Sequence, residues 1–234
     1  IRLDIINAKA ALVGGFAYIN TMARDIADIT TRIIDKTVGF LQGTSVIGSG
    51  LVSLKTLALP FDALGDATNN GALTLSGNAT LTGATTLTVA SAATLGGIVS
   101  GAFDLAKAGA AELTLSGANT FSGTTTVNGG TLTLTGGNAL VNSMAVTVNA
   151  SGLLKLASAE EIATLAGAGA VNLQGNVLTV SGGADTTFSG VASGLGGALV
   201  KNGSGVFTLT GANTFDGGVT LNGGAIQAGN AEIG

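Results

Sequence analysis

The sequence predicts an all-β fold, a parallel β-helix or solenoid, that follows a partly helical N-terminal segment. Three observations support this prediction: a sequence phrase of about ten residues that occurs twice, short Thr/Leu/Val runs that end in Asn or Gly, and very few aromatic residues. Repetition at a long, fixed offset is typical of stacked architectures in which similar layers bury one continuous core.

The duplicated phrase is the strongest of the three observations. Residues 112–121 read ELTLSGANTF and residues 206–215 read VFTLTGANTF. A second shared phrase follows each copy, TTTVNGGTL at 124–132 and GVTLNGGAI at 218–226. Equivalent leucines, Leu115 and Leu209, are 94 residues apart. The phrases consist of packing and turning residues, so they predict strands and corners.

Alternation with period two places one face of each short run in a core and leaves Thr or Ser on the other. Asn-Gly, Ser-Gly or Thr-Gly then ends most runs and allows a sharp corner. Asn119 matches Asn213, and Asn128 matches Asn222, so corner asparagines are expected to bind backbone groups and to stack along the axis. The predicted strands are 113–116, 124–128, 131–135, 145–149, 153–156, 170–173, 177–181, 198–201, 206–210, 218–222 and 225–227.

A β-sandwich or barrel is the structural alternative, because short strands at regular spacing fit those folds too. Scarce aromatics favour the β-helix, since the region after Gly71 holds five phenylalanines and no Trp or Tyr. Those phenylalanines are interpreted as core or corner fillers rather than a sugar-binding platform, with Phe121 and Phe215 expected at corresponding rungs.

Charge divides the chain near the turn-forming run DATNNG at 66–71. Residues 1–66 carry six basic and six acidic side chains, whereas residues 67–234 carry three and seven. Ile19, Met22, Ile26, Ile29 and Ile33 follow a helical spacing of three and four. We therefore expect two parts, a mixed, partly helical segment at 1–66 that caps the solenoid or contacts another subunit, and a β-helix at 67–234.

The amino-acid composition excludes several kinds of chemical site and of binding partner. The chain has no cysteine and no histidine, which excludes disulfides, thiolate or imidazole ligands and His-dependent catalytic pairs. Its net charge is −4 with nine basic residues, which argues against nucleic-acid binding. No direct membrane span is expected, because even the apolar stretch at 37–54 is interrupted by Gln, Ser, Thr and Gly. The first residue, Ile1, suggests a processed product or an excised piece.

The phrases LTLSGANTFSGTTTVNGGTL and FTLTGANTFDGGVTLNGGAI resemble the autotransporter-associated β-strand repeat of bacterial type V secretion passengers. The resemblance covers residues from about 106 to 234, with a weaker echo at 72–89. It implies a right-handed parallel β-helix that is exported across the outer membrane and displayed or released. In that family the repeats aid passenger secretion and folding, and passengers often serve as adhesins or stalks. Residues 1–66 do not resemble the repeat.

Candidate chemical sites are few, and we predict no catalytic, cofactor-binding or metal-binding residue. Glu160 and Glu161 are adjacent, but neighbours need not converge, so a solvated charged turn is expected there. Asp104, Asp185 and Asp216 lie near glycines without a calcium-loop spacing. The segment 43–49 has a GxxxxG frame without the lysine of a phosphate loop, and 48–50 lacks the third glycine of a dinucleotide loop.

Three functions remain open at the sequence level. The leading expectation is a non-catalytic extracellular or cell-surface module, a rigid β-helical passenger or stalk segment with possible adhesive use. The alternative is a self-assembling subunit of an extracellular filament or surface layer. A β-helical polysaccharide lyase or hydrolase is disfavoured by the scarcity of basic residues. The expected partners are a second copy of the chain, end to end or laterally, or a translocator barrel that this sequence does not contain.

Overall fold

The fold of the described residues is a parallel β-solenoid. The structure, a computed structural model, describes residues 46–47, 52–53, 73–142 and 144–229. Within those ranges the backbone forms strands, turns and bends, and no helix. The all-β solenoid prediction is therefore confirmed there. The predicted helical stripe at 19–33 and the predicted boundary at 66 lie outside the described residues.

Each turn of the chain contributes to three faces of the solenoid in a fixed cycle. Face 1 is an eight-stranded sheet and face 2 is another. Face 3 consists of a three-stranded and a four-stranded sheet, separated along the axis. From residue 85 to residue 201, a strand of face 2 is followed by one of face 1 and then by a segment on face 3, after which the cycle begins again. After the face 2 strand at 206–209, the next strand, at 219–221, lies on face 3.

The strands of each face, in their order along the axis, have the following bounds. Face 1 comprises β1 (Val46–Ile47), β3 (Leu73–Leu75), β6 (Ala93–Leu95), β9 (Glu112–Leu115), β11 (Gly130–Leu134), β13 (Gly152–Leu156), β16 (Ala170–Asn172) and β19 (Val191–Ser193). Face 2 comprises β5 (Thr85–Thr88), β8 (Leu105–Ala108), β10 (Thr125–Val127), β12 (Ala145–Val148), β15 (Thr164–Gly167), β18 (Thr186–Phe188), β21 (Val206–Leu209) and β23 (Ala225–Ala228). Face 3 comprises β2 (Val52–Ser53), β4 (Ala79–Thr80) and β7 (Val99–Ser100), then β14 (Glu160–Ile162), β17 (Val177–Val180), β20 (Ala198–Lys201) and β22 (Val219–Leu221).

Like residues stack on like residues because every pairing between described strands is parallel. Leu75 pairs with Leu95, Leu95 with Leu115, Leu115 with Leu134, and Leu134 with Leu156. All five side chains are buried. This column of leucines forms one wall of the core, as the alternating pattern of the sequence requires. At about 4.8 Å between paired strands, the eight strands of face 1 stack over roughly 34 Å.

The two copies of the phrase occupy different faces, which the sequence did not indicate. In the first copy ELTL forms β9 on face 1, whereas in the second VFTL forms β21 on face 2. Phe121 and Phe215 are both buried, but they follow segments on different faces, so the expectation of corresponding rungs is wrong. The offset of 94 residues is not a whole number of turns. The phrase therefore specifies a strand, a corner and the next strand, whichever face these lie on.

Corners depend on glycine where two turns approach each other closely. Gly109, after β8, has a φ of 82°, and an added Cβ would lie 2.7 Å from the backbone nitrogen of Val89. Gly218, before β22, has a φ of 86°, and an added Cβ would meet nothing within 4 Å. The two glycines share a backbone conformation that L-residues disfavour, and they differ in the space around them.

This difference predicts unequal effects of the same substitution. Gly218→Ala introduces backbone strain alone and is expected to lower the free energy of unfolding by about 1 kcal/mol. Gly109→Ala adds a clash with the turn below and is expected to cost about 3 kcal/mol in total. Urea unfolding followed by circular dichroism measures both. Equal losses would show that the spacing between turns does not limit residue 109.

Candidate functional site

The buried side chain of Asn119 connects three successive turns on face 3. Its Oδ1 accepts a hydrogen bond from the Val99 amide at 2.7 Å, and its Nδ2 donates to the Ala139 carbonyl at 2.7 Å. Each partner is 20 residues away, which is one turn. A single amide thus satisfies one buried donor and one buried acceptor that lack a strand partner. The predicted role of the corner asparagine in binding backbone groups is confirmed at this position.

Glu160 continues the same connection into the next turn. Its Oε1 accepts a hydrogen bond from the Leu140 amide at 2.8 Å, and its Oε2 accepts one from the Ala139 amide at 3.2 Å. Burial raises the pKa of Glu160 above its ordinary value. The two amide hydrogen bonds stabilise the carboxylate and offset part of that rise. Between β7 and β14, where face 3 has no strand, Asn119 and Glu160 thus replace part of a backbone ladder.

The expectation of a solvated charged turn at Glu160 and Glu161 is therefore wrong. Glu160 begins β14 and is buried, whereas Glu161 is half-buried and points to the opposite face of the strand. The two carboxyl groups do not converge, as expected for neighbours in a strand. Their arrangement offers no pair of facing carboxylates for general acid and base chemistry.

A second set of asparagines stacks along the outside of the solenoid. Asn149 Nδ2 donates to Asn128 Oδ1 at 2.7 Å, and Asn222 Nδ2 donates to Asn202 Oδ1 at 2.8 Å. The partners lie one turn apart, at 21 and 20 residues. The predicted axial stacking of corner asparagines is confirmed for these two pairs.

Lys107 lies on β8 with its side chain buried, and its ammonium group reaches the corner that follows the strand. Its Nζ donates to the carbonyl oxygens of Ala108 at 3.1 Å, Gly109 at 2.7 Å and Gly129 at 2.8 Å. Two of these carbonyls belong to its own turn and the third to the next. Burial lowers the pKa of Lys107 to about 8, because a cation removed from water is disfavoured.

Lys201 occupies the equivalent corner of the second copy. It is buried on β20, its Nζ donates to the Gly203 carbonyl, and burial lowers its pKa. Lys107 and Lys201 are 94 residues apart, the same offset that separates the duplicated phrases. Extending the alignment of the two copies towards the N-terminus finds this pair in the sequence. The lysines are thus part of the repeated unit, although the sequence analysis assigned neither of them a role.

The acidic residues considered for calcium serve as bridges between turns. Asp104 Oδ1 accepts hydrogen bonds from the Thr124 amide at 2.7 Å and hydroxyl at 2.9 Å. Asp185 Oδ1 accepts one from the Val206 amide at 2.7 Å, and Asp216 Oδ1 accepts one from the Gly196 amide. Across the residues that the structure describes, no group of three or more acidic side chains is placed to hold a metal ion.

The remaining sequence candidates do not assemble into a site. Of the five phenylalanines after Gly71, Phe121, Phe188, Phe207 and Phe215 are buried, and Phe103 is exposed. The glycine frames at 43–49 and 48–50 lie outside the described residues, except for β1. In the described part of the chain, there is no helix of the length and apolarity that a membrane span requires.

The fold and these contacts define a class of protein, a parallel β-solenoid whose buried polar groups hold neighbouring turns together. The family model of the passenger-associated-transport-repeat matches residues 105–134 and 199–228. The chain therefore carries this repeat twice, and the resemblance to an autotransporter passenger repeat is confirmed. No curated protein and no solved structure matches the chain. Each matched segment contains a buried lysine, Lys107 or Lys201, and the asparagine corner that follows it.

The lysine corner predicts a pH-dependent cost of substitution. Lys107→Met leaves the Gly109 and Gly129 carbonyls without their ammonium donor, which is expected to cost about 2 kcal/mol near neutral pH. The pKa of Lys107 is lower in the folded protein than in the unfolded chain, so the unfolded chain binds more protons between pH 8 and 10.5. The free energy of unfolding of the wild type therefore contains a contribution from Lys107 that rises with pH across that window.

The substitution removes that contribution, so its cost is expected to grow from pH 8 to 10.5. Urea unfolding of both proteins at several pH values measures the difference. Lys155→Met is the control, since Lys155 lies on the surface 3.8 Å from Glu112 and should cost less than about 1 kcal/mol. A cost of Lys107→Met that falls with pH would contradict the account.

Proposed function

We propose that the chain is a non-catalytic, rigid segment of an autotransporter-type passenger that spaces or projects other parts of the protein. The observation that carries the proposal is the continuity of faces 1 and 2, each an uninterrupted parallel sheet of eight strands. Such a stack resists bending, because every turn is hydrogen-bonded to the next along two sides. The passenger-associated-transport-repeat supports the same assignment.

The buried polar residues also favour a structural role over a catalytic one. The side chains of Asn119, Lys107 and Glu160 are each engaged in hydrogen bonds to backbone groups of a neighbouring turn. A catalytic group needs an accessible reacting atom with partners that tune it. These residues are instead buried within the stack and bound to backbone atoms.

The finer parts of the proposal follow from the passenger repeat. We place the segment at the bacterial cell surface or in the extracellular space, and we assign the solenoid a right-handed winding, the hand that parallel crossover connections adopt. An adhesive use is compatible with the fold. Outward positions on face 2 are rich in small polar residues such as Thr126, Thr147 and Thr208, so an adhesive contact there would be flat.

A surface-display experiment tests the structural role. The chain is inserted between an N-terminal epitope and an autotransporter translocator barrel in a Gram-negative host. Antibody binding to whole cells, before and after added protease, then reports display and folding. We expect a displayed epitope that survives protease. A variant that combines Lys107→Met with Asn119→Ala should lose the epitope to protease, because both substitutions remove contacts between turns.

Asn78→Ala is the matched control. It also removes a hydrogen bond between turns, from the Ile98 amide to Asn78 Oδ1, but at an exposed corner where water can replace the lost acceptor, so the epitope is expected to survive protease. Protease sensitivity of the wild-type chain, or equal resistance of the double variant, would overturn the structural role. Cleavage of polysaccharide by the purified chain would overturn the non-catalytic assignment.

A self-assembling subunit is the second candidate function. The observation that favours it is the exposure of apolar side chains on the surface of the described solenoid, with Phe103 43% and Leu195 86% exposed. Such side chains can contact a second copy of the chain. Electron microscopy of the purified chain distinguishes the candidates, since regular filaments favour assembly and dispersed particles count against it.

A further inference from the structure

The repeated unit contains the tripeptide Asn-Gly-Gly at one corner of each copy, at 128–130 and at 222–224. Asn128 and Asn222 are both exposed, and they occupy the same position of the repeat. An asparagine that precedes glycine can react with its own backbone, because glycine has no Cβ to hinder the approach of its nitrogen to the side chain. The contacts at the two corners determine how readily each asparagine does so.

The backbone amide that would attack the side chain is held at one corner and not at the other. The Gly223 amide donates to the Lys201 carbonyl at 3.2 Å. Among the described residues the Gly129 amide has no hydrogen-bond acceptor, and the corresponding Lys107 carbonyl accepts a hydrogen bond from the Asn128 amide at 2.8 Å. A bound amide must leave its acceptor before it can lose its proton and move. The Gly129 nitrogen does not have to break such a bond.

The side-chain nitrogen that would leave also differs between the two corners. Asn222 Nδ2 is held, because it donates to Asn202 Oδ1 at 2.8 Å. Asn128 is instead the acceptor of its pair, since its Oδ1 accepts a hydrogen bond from Asn149 Nδ2 at 2.7 Å. Its own Nδ2 is bound to none of the residues that the structure describes. The hydrogen bond to Oδ1 polarises the side-chain carbonyl and makes Asn128 Cγ the more electrophilic carbon.

Lys107 adds a positive charge beside the first corner. Its Nζ lies 2.8 Å from the carbonyl oxygen of Gly129. A cation at this distance stabilises the negative charge of a backbone nitrogen that has lost its proton. The equivalent lysine of the second copy, Lys201, donates to the Gly203 carbonyl in its own turn. All three comparisons therefore favour reaction at Asn128.

We propose that Asn128 is a site of spontaneous covalent modification, at which the side-chain amide converts to a carboxylate faster than at Asn222. The Gly129 nitrogen gives its proton to the solvent and forms a bond to Asn128 Cγ, which closes a cyclic imide. The Cγ–Nδ2 bond breaks, and the nitrogen takes a proton from the solvent and leaves as ammonia. Water then opens the imide at either carbonyl, which gives aspartate or isoaspartate at position 128. This modification is independent of the passenger role and of self-assembly.

The two products have different effects on the solenoid. Aspartate keeps an oxygen that accepts the hydrogen bond from Asn149. Isoaspartate carries the main chain through the side-chain methylene, which lengthens the backbone before Gly129. The Gly129 carbonyl is then displaced from the Lys107 ammonium group, so isoaspartate loosens the contact between these two turns.

Peptide mapping by mass spectrometry tests the proposal in the folded full chain, incubated in a mildly alkaline buffer. The mass change from amide to acid reports conversion, and chromatography separates the isoaspartyl from the aspartyl peptide. Asn128 is expected to convert about fivefold faster than Asn222 or more, the factor that one amide hydrogen bond contributes. Equal rates, faster conversion at Asn222, or no conversion at Asn128 would each overturn the proposal.

The unfolded chain is the first control. In guanidinium chloride the two corners are expected to convert at nearly equal rates, because each asparagine is followed by the same two glycines. A difference in rate that persists in the unfolded chain would overturn the proposal, because local sequence rather than folded structure would then be its cause.

Gly129→Ala is the second control. An added Cβ at residue 129 comes no closer than 3.7 Å to the nearest atom, the Gly109 carbonyl oxygen, so the variant is expected to fold. Circular dichroism verifies this. Conversion at Asn128 is expected to slow several-fold, because the Cβ hinders ring closure, while conversion at Asn222 stays unchanged. An unchanged rate at Asn128 in the folded variant would contradict attack by the nitrogen of residue 129.

Discussion

The structure depends on one constraint: each backbone polar group that faces a neighbouring turn must find a partner there. Faces 1 and 2 meet the constraint with continuous parallel ladders. Face 3 is interrupted, and there the side chains of Asn119 and Glu160 bind the backbone groups of Val99, Ala139 and Leu140. Buried amides and carbonyls without partners are costly, so these two side chains allow a strand to be absent without opening the core.

The same constraint explains why the repeated unit can form the same contacts on different faces of the solenoid. Its lysine binds the carbonyls of a corner, and its asparagine links the turns before and after it. Both contacts connect one turn with its neighbours and depend little on which face carries them. The second copy shows this directly, since Lys201 lies on face 3 where Lys107 lies on face 2. A unit of this kind lengthens a solenoid and gives it stiffness, which suits a passenger segment.

Much of the fold could be predicted from local patterns, and the contacts between turns could not. Alternation in residues such as Leu132 and Leu134 predicted strands and their buried side, because period two is a property of the strand itself. Earlier strands such as β5 and β8 were not predicted, since their Thr and Ala runs carry weak apolar alternation. The prediction of a solvated turn at Glu160 was wrong because it assumed that a charged side chain faces solvent. The burial of Glu160 depends on amide donors about 20 residues away in the sequence, which a local pattern does not contain. The rotation of the second copy by one face depends on turn lengths that no single phrase contains.

The most direct test of the account is amide hydrogen exchange in Asn119→Ala, measured residue by residue by NMR. In the wild type the Val99 amide is bound to Asn119 Oδ1, and the Leu140 amide is bound to Glu160 Oε1. The account predicts that the substitution speeds exchange at Val99 markedly and leaves Leu140 the less affected of the two, because only the first amide loses its acceptor. Unchanged protection at Val99 would contradict the claim that this side chain replaces the missing ladder.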